Sequence, residues 1–226
     1  MNKILISAMA LVALITTVSA EIKPFIGIDI VNQKTAASIT GLVTDGSYPY
    51  TIPYVNYSQQ FSTSNNAPSF KVGLIDDNYR IYLNYSKPYD ENVPYENEGY
   101  TGDTVNIFYE SINLNMDGIY NIQKNAALYF GVHVGQGSLH LGKGSLTILG
   151  YENSGLEYGV QTGFIFNINK NFYAEAGVKY TKPSVSVPLI FSGNNSYYYP
   201  YSDYDFNGEF KVGSIVSTNV GINYKF

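Results

Sequence analysis

The sequence contains no cysteine and few positive charges, with 13 lysine and arginine residues among 226. Without cysteine the chain cannot form a disulfide, a thiolate metal site or a cysteine nucleophile. Its 18 acidic residues give a formal net charge of −5, and no cluster of basic residues occurs. This charge balance argues against a nucleic-acid partner.

Long apolar runs are also missing after residue 20, and the mean hydropathy is −0.10. Both features exclude a helical membrane protein, whose spans need about 20 apolar residues each. What the chain has instead is 23 tyrosines, 12 phenylalanines and 21 glycines, with only 14% charged residues. Such a composition is typical of membrane β-barrels, because strict alternation along each strand hides their hydrophobicity from window averages.

The N-terminus carries the features of an export signal. Lys3 precedes an apolar run from Ile4 to Val18, and small residues follow at Ser19 and Ala20. The run is too short for a membrane-spanning helix, so residues 1–20 are predicted to be a cleaved signal peptide and residues 21–226 the mature domain. The alternative is an N-terminal helix that remains as an anchor.

Eight segments alternate between apolar and polar or small residues, as β-strands with two different faces do. In the fourth segment the apolar positions change parity, which predicts a β-bulge near Glu110 and Ser111. The segments are Phe25–Val31, Ser69–Ile75, Tyr79–Ser86, Val105–Tyr120, Leu128–Gly135, Leu156–Phe166, Phe172–Tyr180 and the last segment, Asn219–Phe226.

The connections between these segments alternate between short and long. The short ones are Asp76–Asn78, Ile122–Ala126 and Asn167–Asn171, and the long ones are Asn32–Pro68, Lys87–Asp103, Gln136–Ser154 and Thr181–Phe206. This pattern predicts an all-β fold: an eight-stranded antiparallel up-and-down transmembrane β-barrel with four long external loops and three short periplasmic turns. A ten-stranded barrel is the alternative, if Ala37–Val43 and Thr51–Phe61 form an extra hairpin.

Charged residues and glycines share one face of the predicted strands. The simplest register places Arg80 opposite Gly73, Asp117 opposite Gly131, Glu175 opposite Gly163 and Lys179 opposite Gly159. Because the interior of an eight-stranded barrel is narrow, a small neighbour makes room for each large side chain, so this face is predicted to line the lumen. The predicted polar network comprises Asp29, Lys71, Arg80, Asp117, His133, Glu157, Glu175 and Lys179. It either fills the barrel as a structural salt-bridge network or forms a gated ion path.

The last strand ends in Tyr224-Lys225-Phe226, with Ile222 and Tyr224 spaced by two from the aromatic end. Together with the signal peptide and the eight-strand pattern, this ending resembles the small outer-membrane β-barrel family that includes OmpX and the transmembrane domain of OmpA. The resemblance implies a location in the outer membrane of a Gram-negative cell, in contact with lipid and lipopolysaccharide. It also implies that Ile222, Tyr224 and Phe226 form the C-terminal signal that the outer-membrane insertion machinery reads.

The predicted external loops carry the more plausible function, because tyrosine offers a large amphipathic contact area. The candidates for contact with an external ligand or host surface are Tyr50, Tyr54, Tyr198, Tyr199 and Tyr201, although tyrosines are also favoured at the membrane interface. We therefore expect a monomeric, non-enzymatic protein of structural or adhesive role, without cofactor or metal.

Three other functions stay open. A narrow porin or ion channel would need an open lumen. A lipid A-modifying enzyme would need a serine next to a histidine, whereas strand parity separates Ser138 from His133. A soluble barrel of lipocalin type would place the apolar faces inward.

Overall fold

The computed structural model describes residues 22–45, 55–87, 91–94, 104–142, 151–194 and 203–226. The predicted signal peptide lies outside these ranges and stays a prediction. The described residues form ten β-strands, which all pair in antiparallel fashion. They are β1 Lys23–Asp45, β2 Val55–Ile75, β3 Tyr79–Ser86, β4 Glu91–Pro94, β5 Thr104–Gln123, β6 Ala126–Gly142, β7 Tyr151–Asn167, β8 Phe172–Pro183, β9 Ser186–Asn194 and β10 Asp203–Lys225.

Pairing between β1 and β10 closes the sheet into a barrel. The closed ring runs β1-β2-β3-β5-β6-β7-β8-β10, which is eight strands. The two remaining strands continue neighbours in the wall: β4 pairs with β5 beyond the end of β3, and β9 pairs with β10 beyond the end of β8. The prediction of an all-β, antiparallel up-and-down fold is confirmed.

The three short connections lie at one end of the barrel, which we call the turn end; the opposite end is the loop end. Between β2 and β3 the backbone amide of Asp76 donates to the carbonyl of Tyr79 (2.8 Å), so only two residues form the turn. Between β7 and β8 the Asn169 side chain accepts hydrogen bonds from the backbone amides of Asn171 and Phe172, both at 2.8 Å. These turns fix the register of the hairpins.

The predicted register is wrong for three of the four charge and glycine pairs. Asp117 does pair with Gly131, but Arg80 pairs with Ile75, Glu175 with Ile165 and Lys179 with Gln161. Each error is a slip of two residues, because the tight turns close further along the chain than the simplest alignment assumes. A slip of two keeps every side chain on its face, so the assignment of the inner face is unaffected.

Strands extend far into the segments predicted as long loops. Residues 32–45 belong to β1 and residues 55–68 to β2, with Val43 paired to Val55, so the proposed extra hairpin is wrong within the described ranges. Residues 136–142, 151–154, 186–194 and 203–206 are likewise strand. These segments are rich in serine, threonine and asparagine. Pairing holds them in the sheet although their composition is typical of loops.

The bulge predicted at Glu110 and Ser111 is also wrong. Pairing of β5 with β6 is regular there, and the Tyr109 side chain faces the interior. The apolar positions of β5 change parity in the sequence because its inward-facing side chains change from polar to apolar towards the loop end. A register shift does occur between β1 and β10 at Ala36 and Ala37, where Gly213 is the extra residue.

The outer face of the barrel carries a belt of exposed apolar side chains. On β7 the belt runs from Phe166 to Leu156, ten residues apart, and both side chains are more than half exposed. At about 3.3 Å per residue and a strand tilt near 40°, this span is about 25 Å tall, which matches the apolar band of a transmembrane barrel. None of the described residues forms a helix long and apolar enough to cross a membrane.

Candidate functional site

All eight residues predicted to form the lumen network face the interior. Seven are buried, and Lys179 is partly buried. They come from seven different strands of the ring, and the period of two along each strand orients them inward. The interior contains four carboxylates and three cationic side chains from this set, so their formal charges nearly cancel.

Five of these side chains form one central ion cluster, which consists of Asp29, Lys71, Arg80, Asp117 and Glu175. The ammonium of Lys71 lies 2.6 Å from Asp29 Oδ2 and also contacts Glu175 Oε1. The guanidinium of Arg80 donates from Nε to Asp117 Oδ2 at 2.7 Å and from Nη1 to Glu175 Oε2. Glu175 therefore joins the two cations, and the cluster ties together β1, β2, β3, β5 and β8. Buried charges need such mutual pairing, because isolated ions cost several kcal/mol to bury.

Aromatic rings pack against the ion cluster. The Arg80 guanidinium lies 4.4 Å from the ring centre of Tyr129 and 5.0 Å from that of Tyr82. Phe25 packs edge-on against Tyr82 with ring centres 5.8 Å apart. The buried apolar cluster here comprises Phe25, Ile75, Tyr82, Ala127, Tyr129, Ile165 and Tyr173. These rings and the ion cluster together fill the turn end of the barrel.

Glutamine and tyrosine side chains that the sequence analysis did not select complete the network. Gln161 donates to the hydroxyl of Tyr82 at 2.8 Å and to Asp117 Oδ1. Tyr109 donates to Glu157 Oε2. Their strand parity is the same as that of the charged residues, so parity was the available signal. Selection by charge alone leaves out neutral hydrogen-bonding groups on the same face.

A polar cavity of about 50 Å³ lies on the loop-end side of the ion cluster. Asp29, Asn113 and Lys179 are among the residues that line it. Asp29 Oδ1 and Asn113 Oδ1 have no hydrogen-bond partner within the described part of the chain. A water molecule needs about 10 to 15 Å³ by this measure, so the cavity has room for a few waters.

Beyond the cavity the interior becomes apolar, which the sequence analysis missed. Tyr109 forms part of its border with the cavity, and Leu139 is fully buried. The cluster comprises Ala37, Tyr109, Leu139, Val185, Val187, Leu189, Phe210, Val212 and Ile215. The interior is therefore layered: aromatic rings and ions at the turn end, a small polar cavity, then an apolar layer at the loop end.

The two histidines lie on opposite faces of β6. His133 is inside, with Nε2 3.0 Å from the Thr181 hydroxyl. His140 is on the outer face, 3.7 Å from Glu110 and 3.8 Å from Glu152. They cannot act on one substrate group, because the barrel wall separates them.

The remaining predicted site residues lie on the outer face or outside the described ranges. Ile222 and Phe226 are exposed, and Tyr224 packs edge-on against Phe172 with ring centres 4.9 Å apart. Their role in assembly stays a prediction. The five tyrosines predicted to make loop contacts, Tyr50, Tyr54, Tyr198, Tyr199 and Tyr201, lie outside the described residues.

Comparison with known proteins supports the fold. No protein-family model matches the chain, and no curated protein matches it. Among solved structures, OprG from Pseudomonas aeruginosa is similar with a TM-score of 0.56 and 14% identity, over 90% of this chain and 97% of that one. Neisserial surface protein A is similar with a TM-score of 0.50 and 13% identity, over the same shares of the two chains. The chain therefore has the fold of the small outer-membrane β-barrel proteins, which agrees with the location that its sequence predicts.

Proposed function

We propose that this barrel is a non-enzymatic outer-membrane protein with a structural or surface-interaction role, exerted from its loop end. The observation that carries the proposal is the filled interior. The ion cluster joins five of the eight ring strands across the lumen, and fully buried Arg80 packs on two tyrosine rings. An interior packed in this way stiffens the barrel and leaves the outside as the surface for interaction.

The wall at the loop end provides that surface. Beyond the apolar belt, β1 and β2 continue as a paired ribbon as far as Val43 and Val55. The outer face of the ribbon is exposed and polar, with Thr40, Ser58 and Ser62 among its residues. Two of the predicted contact tyrosines, Tyr50 and Tyr54, lie in the sequence between β1 and β2. A rigid scaffold that presents loops is a common arrangement for binding.

Attachment of cells to a host surface tests this function. Cells that display the full chain are compared with cells in which Tyr198, Tyr199 and Tyr201 are replaced by serine, and adhesion to cultured epithelial cells is counted. We expect a loss of adhesion of several-fold. The matched control is Tyr120→Ser, an exposed tyrosine at the turn end. Equal adhesion by all three strains, at equal surface levels of folded protein, would contradict the adhesive role.

A narrow ion path is the second candidate function, and the polar cavity favours it. In planar bilayers the packed interior predicts no stable single-channel steps for the natural sequence. Glu175→Gln removes the carboxylate that joins Lys71 and Arg80 and should not open a path by itself. Stable steps that this substitution enlarges would favour the channel over the scaffold.

Modification of lipid A is the enzymatic alternative. Mass spectra of lipid A from cells with and without the gene should be identical. A mass difference that His133→Ala abolishes would establish catalysis.

A further inference from the structure

Charges on the outer face are segregated at the loop-end edge of the apolar belt. Lys34 on β1, Lys182 on β8 and Lys211 on β10 are all exposed there. Further round the barrel wall, β5 and β7 present Glu110 and Glu152, with His140 of β6 between them. The three lysines, which we call the lysine patch, therefore give one side of the barrel a local positive charge although the whole chain is acidic.

Strand register brings the lysine patch together. Lys34 pairs with Val216, which pairs with Tyr180 two residues before Lys182. Lys211 pairs with Ser38 on β1. With strands about 4.8 Å apart and about 3.3 Å per residue, the Cα atom of Lys182 lies about 8 Å from that of Lys211 and about 12 Å from that of Lys34. Groups spread over this distance can bind more than one phosphate of a single ligand.

The β-bulge at Gly213 directs Lys211 outward. On β10, Ile215 and Ser217 face the interior, and regular alternation would turn Lys211 inward as well. The extra residue reverses the parity, so Phe210 and Val212 enter the apolar layer while Lys211 is exposed. Bulges commonly redirect side chains in this way. The bulge at Gly213 therefore contributes side chains both to the inner apolar layer and to the lysine patch on the outer face.

The surface around the lysines suits a lipid with an anionic head. Small residues lie between them, since Ala36 and Ser214 form a pair on the outer face. Val216, which pairs with Lys34, is 43% exposed, and towards the turn end the outer face becomes apolar beyond the exposed pair Asn32 and Thr218, with Ile30 71% exposed. The one exposed acid beside the patch in the described ranges is Glu209, two residues beyond Lys211 and further from the belt. Acyl chains can therefore lie on the belt while phosphates reach the ammonium groups.

We propose that Lys34, Lys182 and Lys211 bind the phosphate groups of lipopolysaccharide in the outer leaflet. The inference rests on the proposed membrane function, in which the short turns face the periplasm and the loop end faces outward. Lysine supplies compact point charges for phosphate, and three of them beside an apolar surface fit a phosphorylated glycolipid with several acyl chains.

Binding of purified lipid A to the full-length refolded protein in detergent tests this inference. The test variant replaces all three lysines of the patch by serine. The matched control replaces Lys23, Lys124 and Lys170, three exposed lysines at the turn end, by serine. Each lysine contributes about fivefold, so we expect the test variant to bind bisphosphorylated lipid A roughly 100-fold more weakly. The control should bind within about twofold of the natural sequence.

Two further arms identify the ligand chemistry. Dephosphorylated lipid A should bind the natural protein about as weakly as bisphosphorylated lipid A binds the test variant. Phosphatidylglycerol should compete poorly. An unchanged affinity of the test variant, an equal loss in the control, or full competition by phosphatidylglycerol would each overturn the proposal. Migration of the unheated protein as a compact band in detergent electrophoresis reports folding separately. Failure of that readout for the natural sequence would count against the barrel function itself.

Discussion

Arg80→Met removes the charge on which the packed interior depends most. In the natural protein the ion cluster holds two cations and three carboxylates. After the substitution only Lys71 remains to balance all three carboxylates, and Asp117 loses its ion pair in a site with no exposure. Removal of one partner from a buried ion pair costs about 3 to 5 kcal/mol. Methionine keeps much of the side-chain volume, so lost packing adds little to this cost.

The free energy of unfolding in lipid vesicles can be measured by urea titration, with the compact and extended bands of unheated samples in electrophoresis as the readout. Tyrosine fluorescence is a second readout, since the chain has no tryptophan. We expect Arg80→Met to lower the free energy of unfolding by about 3 to 5 kcal/mol. Lys124→Met at the exposed turn between β5 and β6 is the control and should change it by no more than about 0.5 kcal/mol.

The double variant Arg80→Met with Asp117→Asn separates charge balance from simple loss of arginine. It leaves one cation and two carboxylates, so the excess of one negative charge in the natural cluster is restored. We expect the double variant to be at least about 1 kcal/mol more stable than Arg80→Met alone, because a neutral amide replaces the buried carboxylate that has lost its ion pair. Equal stabilities of these two variants, or an Arg80→Met variant as stable as the control, would refute the role given to the cluster.

Three other substitutions test the inner and outer faces. In the same urea titration, Gly131→Ala should destabilise the barrel by at least about 2 kcal/mol, because the new Cβ atom would overlap the Asp117 carboxylate and the backbone of β5. Gly118→Ala is the control: its Cβ atom would lie at an ordinary 3.8 Å from the nearest atom, so it should cost less than about 0.5 kcal/mol. Val132→Arg, in the middle of the outer belt, should lower the free energy of unfolding in vesicles by about 2 to 4 kcal/mol. Gln136→Arg, four residues closer to the loop end, should lower it by about 1 kcal/mol or less. Equal losses would argue against a membrane at this depth. Tyr109→Phe removes the hydroxyl that donates to a buried glutamate and should cost about 1 to 3 kcal/mol by the same measurement.

Side-chain parity explains why the inner residues could be predicted from the sequence. A strand alternates strictly, so the sequence positions of Asp29 and Lys71 within their alternating segments already determine which face they occupy. Their partners could not be predicted, because pairing depends on how each turn closes. The two-residue slip at the β2 to β3 turn moves Arg80 from Gly73 to Ile75 without changing its face. The face that a side chain occupies and the residue that it pairs with are therefore separate questions, and only the first has a local signal in the sequence.

The side chains that face the interior at the loop end could not be predicted, for a different physical reason. Sequence reasoning took apolar positions as lipid-facing, and this holds only at the depth of the membrane. Beyond the belt the rule reverses: the outside is in water, so Leu139 and Val212 face the interior. The reversal made Tyr109 look like a change of parity in β5. The real parity change at Gly213 lay between the predicted loop Thr181–Phe206 and the predicted strand Asn219–Phe226, in residues assigned to neither. Only the long-range pairing of β1 with β10 reveals it.

The residues that stabilise the barrel from inside are different from those that bind ligands on its outer face. The ion cluster is held by strands that are spread around the ring, so its free energy is lost only when the barrel opens as a whole. The apolar layer at the loop end is built from β9 and the far part of β10 together with side chains of β1, β5 and β6, and it buries side chains where no lipid is present to cover them. Because these layers keep the wall rigid from inside, substitutions on the outer face, such as those in the lysine patch, can change lipid binding without changing the fold. This independence is what allows binding and stability to be measured separately in the same variants.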